Sequence, residues 1–276
     1  LLHFRHNTGK CKLLTNIFGF PNPLKDALID TVRGRVEKTS IIHKFGRNDN
    51  IGTTFVPLAL GGIYRTPQVN DATSLRVKAG NANDTVDGSG ARGVILHGLS
   101  KQGLEVRENV PTAGTSAGAN SKTLFLRLFR SYTSSSGTFS SVPSNSQAAA
   151  IVIENSAGTE DWATINDQMS QSHTAAFTVP LNMTAFILSF FTTVDGNKAH
   201  DLLLYAREGI LQTVAPFSAM RAFTHVVGLT DPLVPRLRSP IGPFPELTDL
   251  IWVSKVAAGT AAVSVDFEIL LHSKND

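Results

Sequence analysis

Between Ala261 and His272 every second residue is apolar. Ala261, Val263, Val265, Phe267, Ile269 and Leu271 form one series, and Ser264, Asp266, Glu268 and His272 fall in the other. A period of two sends successive side chains to opposite faces of a strand. One face then packs on a core while the other stays polar, as in an antiparallel sheet covered on one side. Shorter versions of the pattern recur along the chain. Strands are expected at 36–45, 53–58, 74–79, 92–97, 104–109 and 123–130. They are expected again at 148–154, 162–166, 173–179, 184–194, 201–207, 220–228, 249–254 and 261–271. Many short strands separated by Gly, Pro and Asn turns predict an all-β chain. The expected architecture is an antiparallel β-sandwich, jelly-roll-like, in one or two domains.

One helix signal interrupts the pattern. Asn22 is placed to cap, Pro23 suits the first helical position, and Leu24, Ala27, Leu28 and Val32 form an apolar face. Gly34 is placed to end it. The predicted organisation is an N-terminal arm and short helix over 1–48, a first β-domain over 49–135, and a β-sandwich domain over 136–276. The Ser-rich "SYTSSSGTFSSVPSNSQ" serves as linker or long loop between the last two, unless they form one composite unit.

Charged residues make up 17% of the chain, below the ~25% usual for globular proteins. Ser, Thr and Asn take their place, which suits sheet faces and surfaces covered by other subunits. The net charge of +3 gives no argument for specific nucleic-acid binding. No apolar run approaches the ~18 residues of a membrane span, so no membrane partner is expected. "LLHFRH" is too short and too polar to be expected to act as a signal peptide. The single cysteine, Cys11, has no partner for an intrachain disulfide. Basic residues concentrate at the start, where Arg5, Lys10 and Lys12 precede the first acidic residue, Asp26. Phe4, Phe18 and Phe20 lie among them without a regular period. An aperiodic segment cannot present one continuous apolar face to its own chain. These six residues are therefore the expected intersubunit contacts.

Several motifs invite a chemical reading. "GSGARG", residues 88–93, matches G-x-G-x-x-G, and "SLRVK" supplies a strand before it. A dinucleotide site also needs a helix after it. "VILHGL" follows instead, with the period of a strand, so the motif is expected to be a loop between strands, tolerant of Gly90→Ala. "GTSAG", residues 114–118, matches the nucleophile elbow around Ser116, but a strand again follows where a helix is required. "NANDTVDGSG" resembles a calcium loop from Asn83, yet its twelfth position is Val94 rather than Glu. A looser cation site at Asp84 and Asp87 is the remaining reading there. His3, His6 and Cys11 lack a fourth ligand and match no common zinc spacing. Asp266 and Glu268 share a strand face about 7 Å apart, close to the separation used by inverting glycosidases. The competing reading is the solvent face of an amphipathic strand. No catalytic, cofactor or metal residue is assigned.

Three runs carry a resemblance: "KFGRNDNIGTTFVPLALGGIYRTP", "SLRVKAGNANDTVDGSGARGVILHGLSKQGLEVRENVPTAG" and "FLRLFR". With "HTAAFTVPLNMTAFILSF" and "FPELTDLIWVSKVAAGTAAVSVDFEILL", they resemble virion structural proteins of tailed bacteriophages, especially marine ones. The resemblance spans about residues 32 to 276. It includes a D-x-x-x-G-x-G-A-R turn leading into a strand, here Asp84 to Arg92. It implies a non-enzymatic virion protein without cofactors, found in the virion. Its partners would be further copies of itself, as a trimer or dimer, and other virion proteins such as the major capsid protein. A capsid decoration (cement) or head-fibre role is the first expectation, and a tail adaptor, fibre or spike the second. A glycan depolymerase stands third, since phage tail proteins can cleave glycans. The Ser-rich stretch and "DPLVPRLRSPIGPFP" are more irregular than the resemblance implies, and are expected to be contact loops.

Overall fold

The computed structural model describes residues 27–139, 146–195, 198–235, 237 and 239–274. The strand pattern of the sequence is realised as an all-β, antiparallel fold of two stacked sandwiches. The first sheet joins β1 (Thr39–Ile51), β15 (Ala261–Ser273), β10 (Met183–Val194) and β13 (Ile241–Phe244) in that order. The second joins β12 (Arg221–Leu229), β11 (His200–Arg207), β14 (Asp249–Val256) and β2 (Val56–Pro57), with β9 (Ala176–Thr178) also on β14. Between them lies the larger core, which includes Trp252, Phe177, Phe190, Phe267 and Ile187. Each such side chain, buried almost completely, contributes about 1.5–3 kcal/mol relative to exposure.

The segment between β2 and β9 builds the second sandwich. Its sheets are β3 (Leu75–Ala79), β7 (Ile151–Asn155) and β8 (Asp161–Ile165), facing β5 (Glu105–Pro111), β4 (Ala91–Ser100) and β6 (Phe125–Ser136). Their shared core contains Val77, Leu96, Phe125, Ile153 and Trp162. Leu99, Leu126 and Phe129, from β4 and β6, belong instead to the larger core, so the two sandwiches are packed on each other. β7, beyond residue 135, pairs with β3 before it, and β8 pairs with β7. The division expected at 135 thus falls inside a set of paired sheets. Residues 39–48, assigned to the N-terminal arm, form most of the first sheet's β1.

The helix signal yields α1 (Ala27–Val32). Gly34 has φ +68 and donates to Thr31 O at 2.9 Å, as a left-handed residue past a helix end does. Val32 is a correction. It was expected on the buried face, but it is 71% exposed while Thr31 is buried. Asn22, Pro23 and Leu24 lie outside the described residues. In β6 a second correction applies. Leu126 and Leu128 are buried as expected, but Leu124 precedes the strand and is 46% exposed. The Ser-rich stretch begins as strand, since Ser131–Ser136 continue β6 against β4. β13 was not expected at all.

The face of β1 that looks into the core carries Ile42, Lys44, Gly46 and Asn48, opposite Ile269, Phe267, Val265 and Val263 of β15. Small and polar residues sit there because backbone, not side chains, backs them. A Cβ at Gly46 would collide with Ala175 N and Leu58 O, which hydrogen-bond to each other at 2.8 Å. The two layers meet almost backbone to backbone at this edge. Asn48 fits by donating to Pro57 O at 3.2 Å and accepting from Asn50 N at 3.0 Å. Lys44 is the remaining buried polar residue of that face.

Candidate functional site

The glycine motif builds a loop around a carboxylate. Asp84 is fully buried. Its Oδ1 accepts from Ala91 N at 2.7 Å and Ala148 N at 2.8 Å, and its Oδ2 accepts from Ala149 N at 3.2 Å. Gly88 and Gly90 let the backbone close over it. A Cβ at Gly88 would strike Asn83 O, and one at Gly90 would strike Asp84 Oδ1. The loop is therefore not tolerant of Gly90→Ala, and Asp84 is spent on backbone amides rather than turned toward a cation. Asp87 is exposed apart from it. β4 follows the glycines directly, so the strand-helix context of a dinucleotide site is not met. Ser116 lies exposed between β5 and β6, again without a following helix. Asp266 and Glu268 are both half-buried on β15, and Glu268 accepts from Ser189 Oγ at 2.7 Å. Phe4, Arg5, Lys10, Lys12, Phe18 and Phe20 lie outside the described residues, as do His3, His6 and Cys11.

Two features remain that bear on what the protein meets. The first is the β12 edge. β12 bonds to β11 on one side, and its other side ends the second sheet. Edge strands usually carry lysine, proline or a covering loop, because an open edge pairs with other chains. β12 has the sequence RAFTHVVGL, with no proline and Arg221 as its only permanent charge. Phe223 is 41% and Val227 64% exposed. Val214, Phe217 and Met220 before the strand, and Val234 after it, are exposed as well. By contrast, β13, at one edge of the first sheet, is four residues long and contains Gly242 and Pro243. The β13 edge is blunted and the β12 edge is open.

The second feature is a cleft of about 400 Å³ where β1 meets the β5-β4-β6 sheet. Lys44, Arg107 and Arg130 line it together with His43 and His97, and among the described residues no carboxylate does. Lys44 is 3% exposed and donates from Nζ to Phe129 O at 2.6 Å. Burial holds its ammonium well below the ordinary lysine range, and the charge of Arg130 adds to the effect. Arg130 donates from Nη2 to His43 O at 2.6 Å and lies over the Phe45 ring at 5.9 Å. Burial lowers its pKa too, with Arg107 adding repulsion. Beside the cleft, Glu105 Oε1 is 2.6 Å from His97 Nε2 and 3.7 Å from Arg107. The hydrogen bond to His97 keeps the Glu105 carboxyl below its usual range. Sequence reasoning missed this site, because its cations come from β1, β5 and β6 and share no local spacing.

The fold defines an all-β protein of two antiparallel sandwiches. No protein-family model matches the chain, and no curated protein matches it. Among solved structures the chain is similar to that of infectious bursal disease virus, Gt strain, at 12% identity and a TM-score of 0.23. That match covers 96% of this chain and 78% of the other. It is also similar to the infectious bursal disease virus VP2 subviral particle, at 12% identity and a TM-score of 0.18, over 96% and 82% of the two chains. Similarities this slight bear on neither fold nor role.

Proposed function

We propose that the chain is a virion structural protein that works by burying surface against copies of itself and neighbouring virion proteins. The single observation that carries this reading is the open β12 edge. A nine-residue edge strand with exposed Phe223 and Val227 and one permanent charge is a pairing surface, not a solvated one. Closed symmetric association is the usual way such an edge is covered. The low charge content and the resemblance to tailed-phage virion proteins favour the same reading. Within it, a capsid decoration or head-fibre role is preferred, with a tail adaptor, fibre or spike as the alternative.

Light scattering on the full chain tests the reading. A homodimer or homotrimer is expected, and Phe223→Ser with Val227→Lys should return it to monomer while circular dichroism stays β-type. A wild-type monomer at high concentration would overturn the association. Copy number in purified particles separates the two locations, since a shell component is present in hundreds and a tail part in few. Absence from particles would refute the virion role.

A further inference from the structure

We propose that the cleft between β1 and the β5-β4-β6 sheet binds a small organic carboxylate, held by Lys44 and Arg130 with its carbon skeleton against Phe129 and Ile42. The site is independent of the β12 edge and of the virion reading.

Uncompensated cations make the argument. A buried ammonium, with a half-buried guanidinium beside it, is costly unless an anion offsets the charge. Among the described residues neither Lys44 nor Arg130 has a carboxylate partner. Each donates its hydrogen bond to a main-chain carbonyl, Phe129 O and His43 O respectively. Lys44 has three donors and Arg130 five, so most remain unspent. Both groups are also fixed in place, Lys44 by packing in the core face of β1 and Arg130 by its carbonyl bond and the Phe45 ring. Fixed donors with spare capacity on one cleft are a preformed anion site, the arrangement that lowers the ordering cost of binding.

Size and lining select among anions. A volume of about 400 Å³ lies at the small end of ligand pockets. Phe129, Phe177 and Ile42 give it apolar walls that a bare inorganic ion would leave uncovered. A guanidinium fork matches a carboxylate in two-bonded geometry. Glu105, paired with His97 beside the cleft, disfavours a doubly charged phosphate. The position at the junction of two sandwiches is where ligand sites concentrate.

Calorimetric titration of the full chain decides the matter. Glucuronate and benzoate are the probes, and they distinguish a sugar acid from an aromatic acid as the source of the carboxylate. Inorganic phosphate and glucose are run beside them. One of the two acids is expected to bind once per chain, more tightly than phosphate or glucose. Arg130→Gln and Lys44→Met should each weaken it by about tenfold or more. Arg221→Gln on β12 should leave it unchanged. Circular dichroism confirms that each variant is folded, and Arg107→Gln stands in for Lys44→Met if that variant is not. Absence of binding by both acids would overturn the proposal, as would binding retained in every cleft variant. Phosphate binding as tight as either acid would overturn the carboxylate assignment.

Discussion

Arg127 of β6 and Asp249 of β14, 122 residues apart in the chain, meet through two hydrogen bonds of 2.9 Å, and neither side chain is exposed. Asp249 also accepts from Thr178 Oγ1 at 2.7 Å and Arg207 Nη2 at 3.1 Å. Arg127 gives its remaining bonds to Pro67 O and Leu126 O. Strands of both sandwiches therefore converge on one carboxylate.

Removing that carboxylate strands Arg127 without a counter-charge in the interior. Asp249→Ala should cost about 3–5 kcal/mol of unfolding stability. The double variant Asp249→Leu with Arg127→Met should cost less than Asp249→Ala alone, because the fully buried Arg127 charge goes with its partner and only the partly exposed Arg207 loses its carboxylate. Urea denaturation of the three proteins measures both. Equal losses would mean that the pair's charge is not what matters.

Gly90→Ala should destabilise by about 1–3 kcal/mol, the range for overpacking a filled interior. Its new methyl would strike the Asp84 carboxylate that holds Ala91, Ala148 and Ala149. Ser89→Ala, at an exposed neighbour, should stay within about 0.5 kcal/mol. Thermal unfolding of the pair checks the contrast.

Lys44 gives stability a dependence on alkaline pH. Its pKa in the fold is depressed by burial and by Arg130, so between that value and 10.5 the unfolded chain binds more protons than the native one. Stability from this group therefore rises with pH across that window. Lys44→Met should flatten the rise and be the more stable protein at neutral pH. Urea midpoints at pH 7 and pH 10 test it, and parallel curves for the two proteins would contradict it.

His200 acts at the acid end. It is buried, with Nδ1 2.8 Å from Leu229 O. Burial lowers its pKa below 6.5, against opposing effects of the Leu229 carbonyl and Asp201. As pH falls below 6.5 the unfolded chain takes up the proton first, so stability is lost. His200→Asn should reduce that loss. His173 is lowered in the same direction, mainly by burial, so part of the loss should remain. Melting temperatures between pH 7.5 and 5 measure the difference.

The sequence made the strands legible where one face is apolar and the other polar. β15 is the clearest case: all six members of its apolar series are buried. β13 escaped notice because Gly242 and Pro243 within four residues argue against a strand, and only an edge position tolerates them. Arg127 was hidden for another reason. Lying between Leu126 and Leu128, it reads as the polar side of an amphipathic strand, yet both faces of β6 are covered there. Its partner is more than a hundred residues away, so no local pattern announces the pair. The glycines at 88 and 90 were visible as a motif, but their cause, a carboxylate enclosed by backbone, needs three dimensions. The cleft was illegible for the same reason.

The pairing of β1 with β15 has a consequence for biosynthesis. Thr39 is opposite His272, so the first sheet's opening strand waits for residues more than two hundred positions later to be made. The inserted sandwich has all its strands by Ile165, and the bridge from Tyr132 of β6 to Gln171 forms soon after. Domains generally fold as units while the ribosome is still adding residues. The inserted sandwich is thus complete while β1 is still unpaired, and it is the already folded body onto which the outer layers close.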